Sequence, residues 1–240
     1  MAYEMNFAPV LARAPELAAG TLATVVLSAQ SIAFGLTIGL AVALVRVNGP
    51  RWSGRAAAVY IEAFRNTPLL VQLFLLFFGL PYIGFRLSAD HAALLAIGLN
   101  LGAYSAEIFR AGLLAIPPTQ VEAGLALGLS RLQVMRHVIV VPALRVIYPA
   151  LTGQLTLTLL GTSIASAISA RELTLAGATI ESQSFRSLET FLVVAAIYIA
   201  VTFAFRLVYW LIGLWLFRRR DPATGLAGAV LGPMQKGARI

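Results

Sequence analysis

No cysteine occurs in the chain, and its single lysine, Lys236, stands between Gln235 and Gly237. The first absence excludes disulfides, thiolate metal sites and thiol catalysis. The second excludes a Gly-x-x-x-x-Gly-Lys-[Ser/Thr] phosphate loop, so the chain cannot hold a nucleotide by that device. Charge is scarce as well: 12% of residues are charged against 59% hydrophobic, and the mean hydropathy is +0.84. Soluble domains carry about twice that charge, so the chain belongs in a bilayer. In a membrane chain the net charge of +8 marks the cytoplasmic side rather than a nucleic-acid partner. No sequence period repeats.

What is present is a series of apolar runs. Leu17 to Val45 carries no charge and exceeds the roughly 20 residues that cross a bilayer, so it is span one. Its Gly35 and Gly39 form a small-xxx-small pair that lets another helix approach. The start of the chain lacks the basic region of a secretory signal, so this span is expected to stay. Asn48-Gly49-Pro50 breaks the helix, and Arg51 to Arg65 mixes Trp52 and Tyr60 with arginines, as at a headgroup surface. The run from Pro68 to Pro81 is too short to span alone, so span two is expected to begin upstream near Ala57. Span three covers His91 to Leu114 and span four Ala143 to Ser169, interrupted early by Pro149 and Gly153. Arg171 to Glu189 reads as extramembrane with a short helix. Span five is Phe191 to Phe217, with Arg206 inside it, closed by Arg218-Arg219-Arg220. One permease-like domain over 1–220 and a loosely ordered tail over 221–240 are expected.

Arginines gather after span one (Arg46, Arg51, Arg55, Arg65), between spans three and four (Arg131, Arg136, Arg145) and after span five. That side is cytoplasmic by the positive-inside rule, which puts the N-terminus outside and the C-terminus inside. His91 and His137 then lie on opposite sides, against the clustered acids or histidines that a lipid-modifying enzyme needs.

The segment from about 115 to 142 on the cytoplasmic side is the most informative. Thr119 with Glu122, and Ser130 with Gln133, each have capping-box spacing and each starts a helix. Gly128 sits where the first helix should stop. The first helix is then about two turns long, too short to survive alone in water. It reads as a knob that fits a cleft on another protein, the alternative being a connector packed on its own domain.

Polar side chains at membrane depth need partners that lipid cannot supply. Gln72, Asn100, Tyr104, Gln154, Thr158 and Thr162 are of this kind, and either line a substrate path or bond neighbouring helices. Thr158, Thr162, Ser166 and Ser169 recur at helical spacing as one stripe. Glu107 and Arg110 share a helical face and pair with each other; the rival role for Glu107 is proton carrier in an ion-gradient-driven secondary transporter.

Glu122-Ala123-Gly124-x-x-x-Gly128 resembles the cytoplasmic Glu-Ala-Ala-x-x-x-Gly loop of bacterial ABC importer permeases. Phe64-Arg65-Asn66-Thr67-Pro68-Leu69-Leu70-Val71-Gln72, Gly102-Ala103-Tyr104-Ser105-Ala106-Glu107-Ile108-Phe109-Arg110 and Glu172-Leu173-Thr174 resemble the polar amino acid subfamily. The likeness covers about Thr21 to Trp215. It implies an all-α inner-membrane permease of the type I importer fold, with about five spans and a coupling helix between spans three and four. It also implies a second permease subunit, two cytoplasmic ATP-binding subunits, and an extracytoplasmic binding protein that delivers a polar amino acid. No cofactor or metal is implied. By the same resemblance Glu122, Ala123, Gly124 and Gly128 form the ATPase-coupling loop, and Glu172-Leu173-Thr174 lies on the outer side where the binding protein lands.

Three positions depart from the family pattern. Gly124 replaces an alanine, which loosens the helix by roughly 1 kcal/mol. Pro142 falls one residue later than the usual Leu-Pro-Gln. Leu160-Gly161-Thr162-Ser163 stands where relatives often have Lys-Asp or Lys-Asn before Thr-Ser, which weakens assignment to a basic amino acid.

Overall fold

The computed structural model describes residues 4–217, and all regular structure among them is helical. Arg218-Arg219-Arg220 and the tail over 221–240 lie outside the described residues. The chain divides into a compact unit ending at Arg206 and a second unit that begins at Leu207, within the last helix. A short helix α1 (Ala8–Leu11) leads into α2 (Ala14–Asn48); α3 (Arg51–Arg65), α4 (Leu69–Ile83), α5 (Ala89–Leu114) and α6 (Pro118–Ala126) follow. Then come a continuous helix α7 (Arg131–Ile168), α8 (Leu173–Ser184) and α9 (Ser187–Phe217). Among the described residues, α2, α5, α7 and α9 are each long and apolar enough to cross a membrane, and α3 with α4 make a fifth, bent candidate.

Span two is therefore not one straight helix from Ala57. It turns by 106° between α3 and α4. Pro68 drives the break, because its ring excludes the helical conformation for Thr67 and removes one backbone donor; its own ψ of 139° starts the new helix. The amphipathic α3 thus ends at Arg65, while α4 supplies the apolar run.

The centre of the bundle is the α2–α5 pair. A side chain at Gly35 would meet the Gly98 carbonyl at 2.8 Å and Leu101, and one at Gly39 would meet the Gly102 carbonyl at 3.0 Å and Ser105. The order of these contacts makes the two helices parallel. Gly39→Val is expected to destabilise the fold by about 3 kcal/mol, because methyl groups would displace backbone. Gly54→Val, where a Cβ meets nothing within 4 Å, is the near-neutral control; thermal unfolding of the purified protein in detergent compares the two.

Helix α7 runs antiparallel to α5, with Gly112 against Ala143 and Ile147. It begins earlier than Ala143, at Arg131, and carries Pro142 and Pro149 inside it. Residues Val134–Val140 are π-helical, and the wider turn accommodates the missing donor and bulk of Pro142. From Thr162 to Ile168 the helix tightens to 3-10 form and stops at Ser169, whose φ is 59°.

The segment after Arg171 holds the expected short helix, and that helix is packed against α2. Glu172 caps α8 with its carboxylate, accepting from the Thr174 N–H at 2.6 Å and from the Leu175 N–H, and the Tyr198 hydroxyl donates to it at 2.8 Å. Leu173 donates its N–H to Thr24 at 2.9 Å, and Gly20 lies against Ala176. Glu172 and Leu173 are 1% and 0% exposed, so neither is a landing surface; burial pushes the Glu172 carboxyl above the usual carboxylate range, with these hydrogen bonds opposing.

Candidate functional site

The bend between α3 and α4 leaves the last carbonyls of α3 without helical partners. Gln72, 6% exposed, takes over: its Nε2 donates to Phe64 O at 2.8 Å, Thr67 O at 2.9 Å and Thr67 Oγ1 at 2.8 Å. Asn100 Nδ2 donates to Gln72 Oε1 at 3.1 Å and to Phe64 O at 3.4 Å, and the Tyr104 hydroxyl reaches Arg65 O at 3.5 Å. The polar pattern of spans two and three thus has a structural cause, since it satisfies a broken helix inside the bundle.

Beside this network lies an open-sided cavity of about 210 Å³ between α4, α5 and α7. Asn100, Tyr104, Gln154 and Thr158 give it polar groups, and Leu69, Ile97, Leu157 and Gly161 complete the wall. Four of the six expected path residues meet there, and Gln72 joins them through Asn100. The amide of Gln154 makes no hydrogen bond with any described residue, so its donors and acceptor are free for water or solute.

Thr162 does not reach the cavity. It is fully buried, and its hydroxyl donates back to Leu159 O at 2.7 Å. Gly161, three residues after Thr158 in the α-helical part and so on the same face, lines the cavity instead. Other hydroxyls of the stripe bond back within α7: Thr158 donates to Gln154 O at 3.0 Å and Ser166 to Ser163 O at 2.7 Å. Gly161 was visible in the sequence only as a departure from a pattern, not as a cavity residue.

Glu107 pairs with Arg110 at 2.6 Å as its spacing predicts, and also with Arg46 of α2 at 2.8 Å. That second partner has no sequence signal, because it depends on the α2–α5 packing.

Helix α6 leaves the end of α5 at the opposite end of the bundle from the Glu172 cap. Its N-cap is Pro117 with Pro118 at the first position, so the Thr119–Glu122 capping box does not form; both residues are already inside the helix. The nine residues make about two and a half turns. The Ser130–Gln133 box does form, with Ser130 N–H donating to Gln133 Oε1 at 2.8 Å and Gln133 N–H to Ser130 Oγ at 3.4 Å. Gly128 takes a φ of 80°, and the bonds Gly128 N–H to Leu125 O at 3.0 Å and Leu129 N–H to Gly124 O at 3.1 Å close a Schellman cap. Gly124 is the one buried residue of α6, and a side chain there would meet Val134 at 3.2 Å and Val138 at 3.5 Å. Its small size therefore serves contact with α7 of its own chain. Glu122, Ala123, Leu125 and Leu127 face outward, Leu127 at 83% exposure.

Helices long and apolar enough to cross a membrane four to five times make this a multi-pass membrane protein. Residues 35–219 match the family described as binding-protein-dependent transport system inner membrane component. The chain belongs to that family, and it is a permease subunit. It is 38% identical over 217 residues to the octopine transport system permease of Rhizobium meliloti, covering 85% of this chain and 88% of that one. It is 39% identical over 190 residues to the glutamine transport system permease of Escherichia coli, covering 78% and 87%. The crystal structure of an amino acid ABC transporter with histidines superimposes with a TM-score of 0.80 at 34% identity, over 88% of this chain and 98% of that chain.

Proposed function

We propose that this chain forms the translocation path of an ATP-driven importer of polar amino acids in a bacterial inner membrane. It pairs with a second permease subunit, engages two cytoplasmic ATP-binding subunits through α6, and receives substrate from an extracytoplasmic binding protein. Residues 1–220 form the permease domain. The observation that carries this proposal is the placement of α6, outward-facing on all but one side and joined rigidly to the helix that lines the cavity. Arginines on the α6 side (Arg46, Arg51, Arg55, Arg131, Arg136) support a cytoplasmic location for it and an outer N-terminus.

The mechanism involves no covalent chemistry. The Schellman cap at Gly128 and the capping box at Ser130 fix both sides of the short turn between α6 and α7, and Gly124 seats α6 on Val134 and Val138. Closure of the ATP-binding subunits moves α6, α7 moves with it, and Gln154, Thr158 and Gly161 shift against α4 and α5. Access to the cavity then alternates as packed elements slide, a shear transition.

Coupled uptake into vesicles holding the assembled complex tests this. Uptake is expected to require ATP and to persist when the proton gradient is collapsed; uptake driven by the gradient without ATP would favour a secondary transporter instead. Gln154→Leu is expected to lower uptake about tenfold with normal folding, since no internal bond is lost. Gln72→Leu removes the amide that serves Phe64 and Thr67 at the α3–α4 break and accepts from Asn100, and is expected to lower stability by about 2 kcal/mol, read as a lower unfolding temperature. Equal folding defects in both variants would assign Gln154 to packing.

A further inference from the structure

Helix α3 presents different faces to the bundle and to its surroundings. The inner face is pinned: Ala57 and Ile61 are buried, the Tyr60 hydroxyl donates to Leu99 O at 2.6 Å, and the Tyr60 and Phe64 rings lie 5.0 Å apart. The outer face is apolar and uncovered. Trp52, Ala56, Val59 and Ala63 recur at i, i+4, i+7 and i+11, one stripe on a helix, with Trp52 74% and Val59 69% exposed. Arg51 and Arg55 stand along one flank of that stripe, one turn apart. Both are exposed, and among the described residues neither makes an ion pair. Glu62 shares the flank further along, where it accepts from Asn66 Nδ2 at 2.8 Å. The 106° turn at Pro68 means that α3 and α4 cannot both run along the bilayer normal. The charge-free α4 is the limb that enters the bilayer, and the arginine-bearing α3 is the limb that lies along its surface.

We propose that α3 is a binding surface for anionic phospholipid headgroups. Arg51 and Arg55 hold phosphates, for which a guanidinium offers paired N–H donors, while Trp52, Ala56, Val59 and Ala63 sink among the upper acyl chains. Charge complementarity selects this occupant. An anionic headgroup brings a phosphate without the ammonium that a zwitterionic lipid sets beside it. The chain's own C-terminal sequence, with Arg218, Arg219, Arg220, Lys236 and Arg239 against Asp221, has the same sign as the arginine flank and does not complement it. The seat lies at the α6 end of the bundle, since α2 and α5 are parallel and α3 follows the end of α2 as α6 follows the end of α5. At its other end the same helix offers Phe64 O to both Gln72 and Asn100, so a lipid that steadies α3 also steadies the edge of the cavity network.

Lipid quenching of Trp52 in the assembled complex tests the proposal. Trp210 and Trp215, both exposed on α9, are replaced by Phe so that Trp52 alone reports. The complex is reconstituted in phosphatidylcholine containing either brominated phosphatidylglycerol or brominated phosphatidylcholine at the same mole fraction. Phosphatidylglycerol is expected to quench at least twofold more strongly, and the excess should shrink at high salt. Adding Arg51→Gln with Arg55→Gln should bring the two lipids to equality. Equal quenching before those changes, or an excess that survives them, overturns the proposal. Quenching by neither lipid means that protein covers α3, which overturns it as well. Native mass spectrometry of the complex with all its tryptophans makes the same comparison without the Phe replacements: retained phosphatidylglycerol should exceed phosphatidylcholine and fall at least twofold in the double Gln variant, and no excess contradicts the proposal.

Discussion

Gly128→Val is expected to reduce ATP-driven uptake at least tenfold while the complex goes on hydrolysing ATP. The residue sits at a φ of 80°, a conformation that a β-branched side chain adopts only at a cost of about 1–3 kcal/mol. The strain is relieved most readily by opening the Schellman cap, which releases the Gly128–Leu125 and Leu129–Gly124 bonds and leaves α6 swinging on a loose joint. Helix α6 would still meet its partner, because its outward residues are untouched, but its displacement would no longer reach α7. A Cβ at position 128 meets nothing within 4 Å, so the effect comes from backbone conformation and not from crowding. Gly128→Asn separates these causes: asparagine tolerates the left-handed region, and this variant should keep most of the uptake. Uptake and ATP hydrolysis measured on the same vesicles give the coupling ratio directly.

The second large effect is expected from Gly161→Asp. A side chain built there meets only the Leu69 side chain, at 3.6 Å, an ordinary contact, so an aspartate enters the cavity without displacing backbone. It would add an acid to a wall that has none. The ratio of affinities for L-arginine and L-glutamine, measured on the assembled complex, should shift toward arginine by at least tenfold, equivalent to about 1.4 kcal/mol. An unchanged ratio with normal folding would remove Gly161 from the substrate's surroundings.

Much of this architecture was legible because bilayer depth and backbone saturation leave few options. Long apolar runs gave α2, α5 and α9, and the Gly35–Gly39 pair marked the face of α2 that meets α5. Hydropathy failed at span two, since it sums over a window and cannot register the 106° turn at Pro68. Thr119 and Glu122 had capping-box spacing, but Pro118 started the helix earlier. Thr162 had the right side chain and the right spacing for an α-helix, yet packing buries it fully. Glu172 was placed on the outer side, and no local pattern revealed that Thr24 and Tyr198, distant in sequence, bury its surroundings. The Arg46–Glu107 and Asp90–Arg171 pairs share that property, joining residues 61 and 81 positions apart; such pairs exist only once helices have packed.

The proposed docking of α6 on an ATP-binding subunit is best tested by cross-linking, for which the natural absence of cysteine is an advantage. Leu127→Cys places one thiol on the outward surface of α6. In inside-out vesicles holding the complete complex, a short thiol–amine cross-linker should join this residue to an ATP-binding subunit, more efficiently when nucleotide closes that subunit. A thiol that reacts only from the outer face, or that captures no subunit in any nucleotide state, would contradict the account.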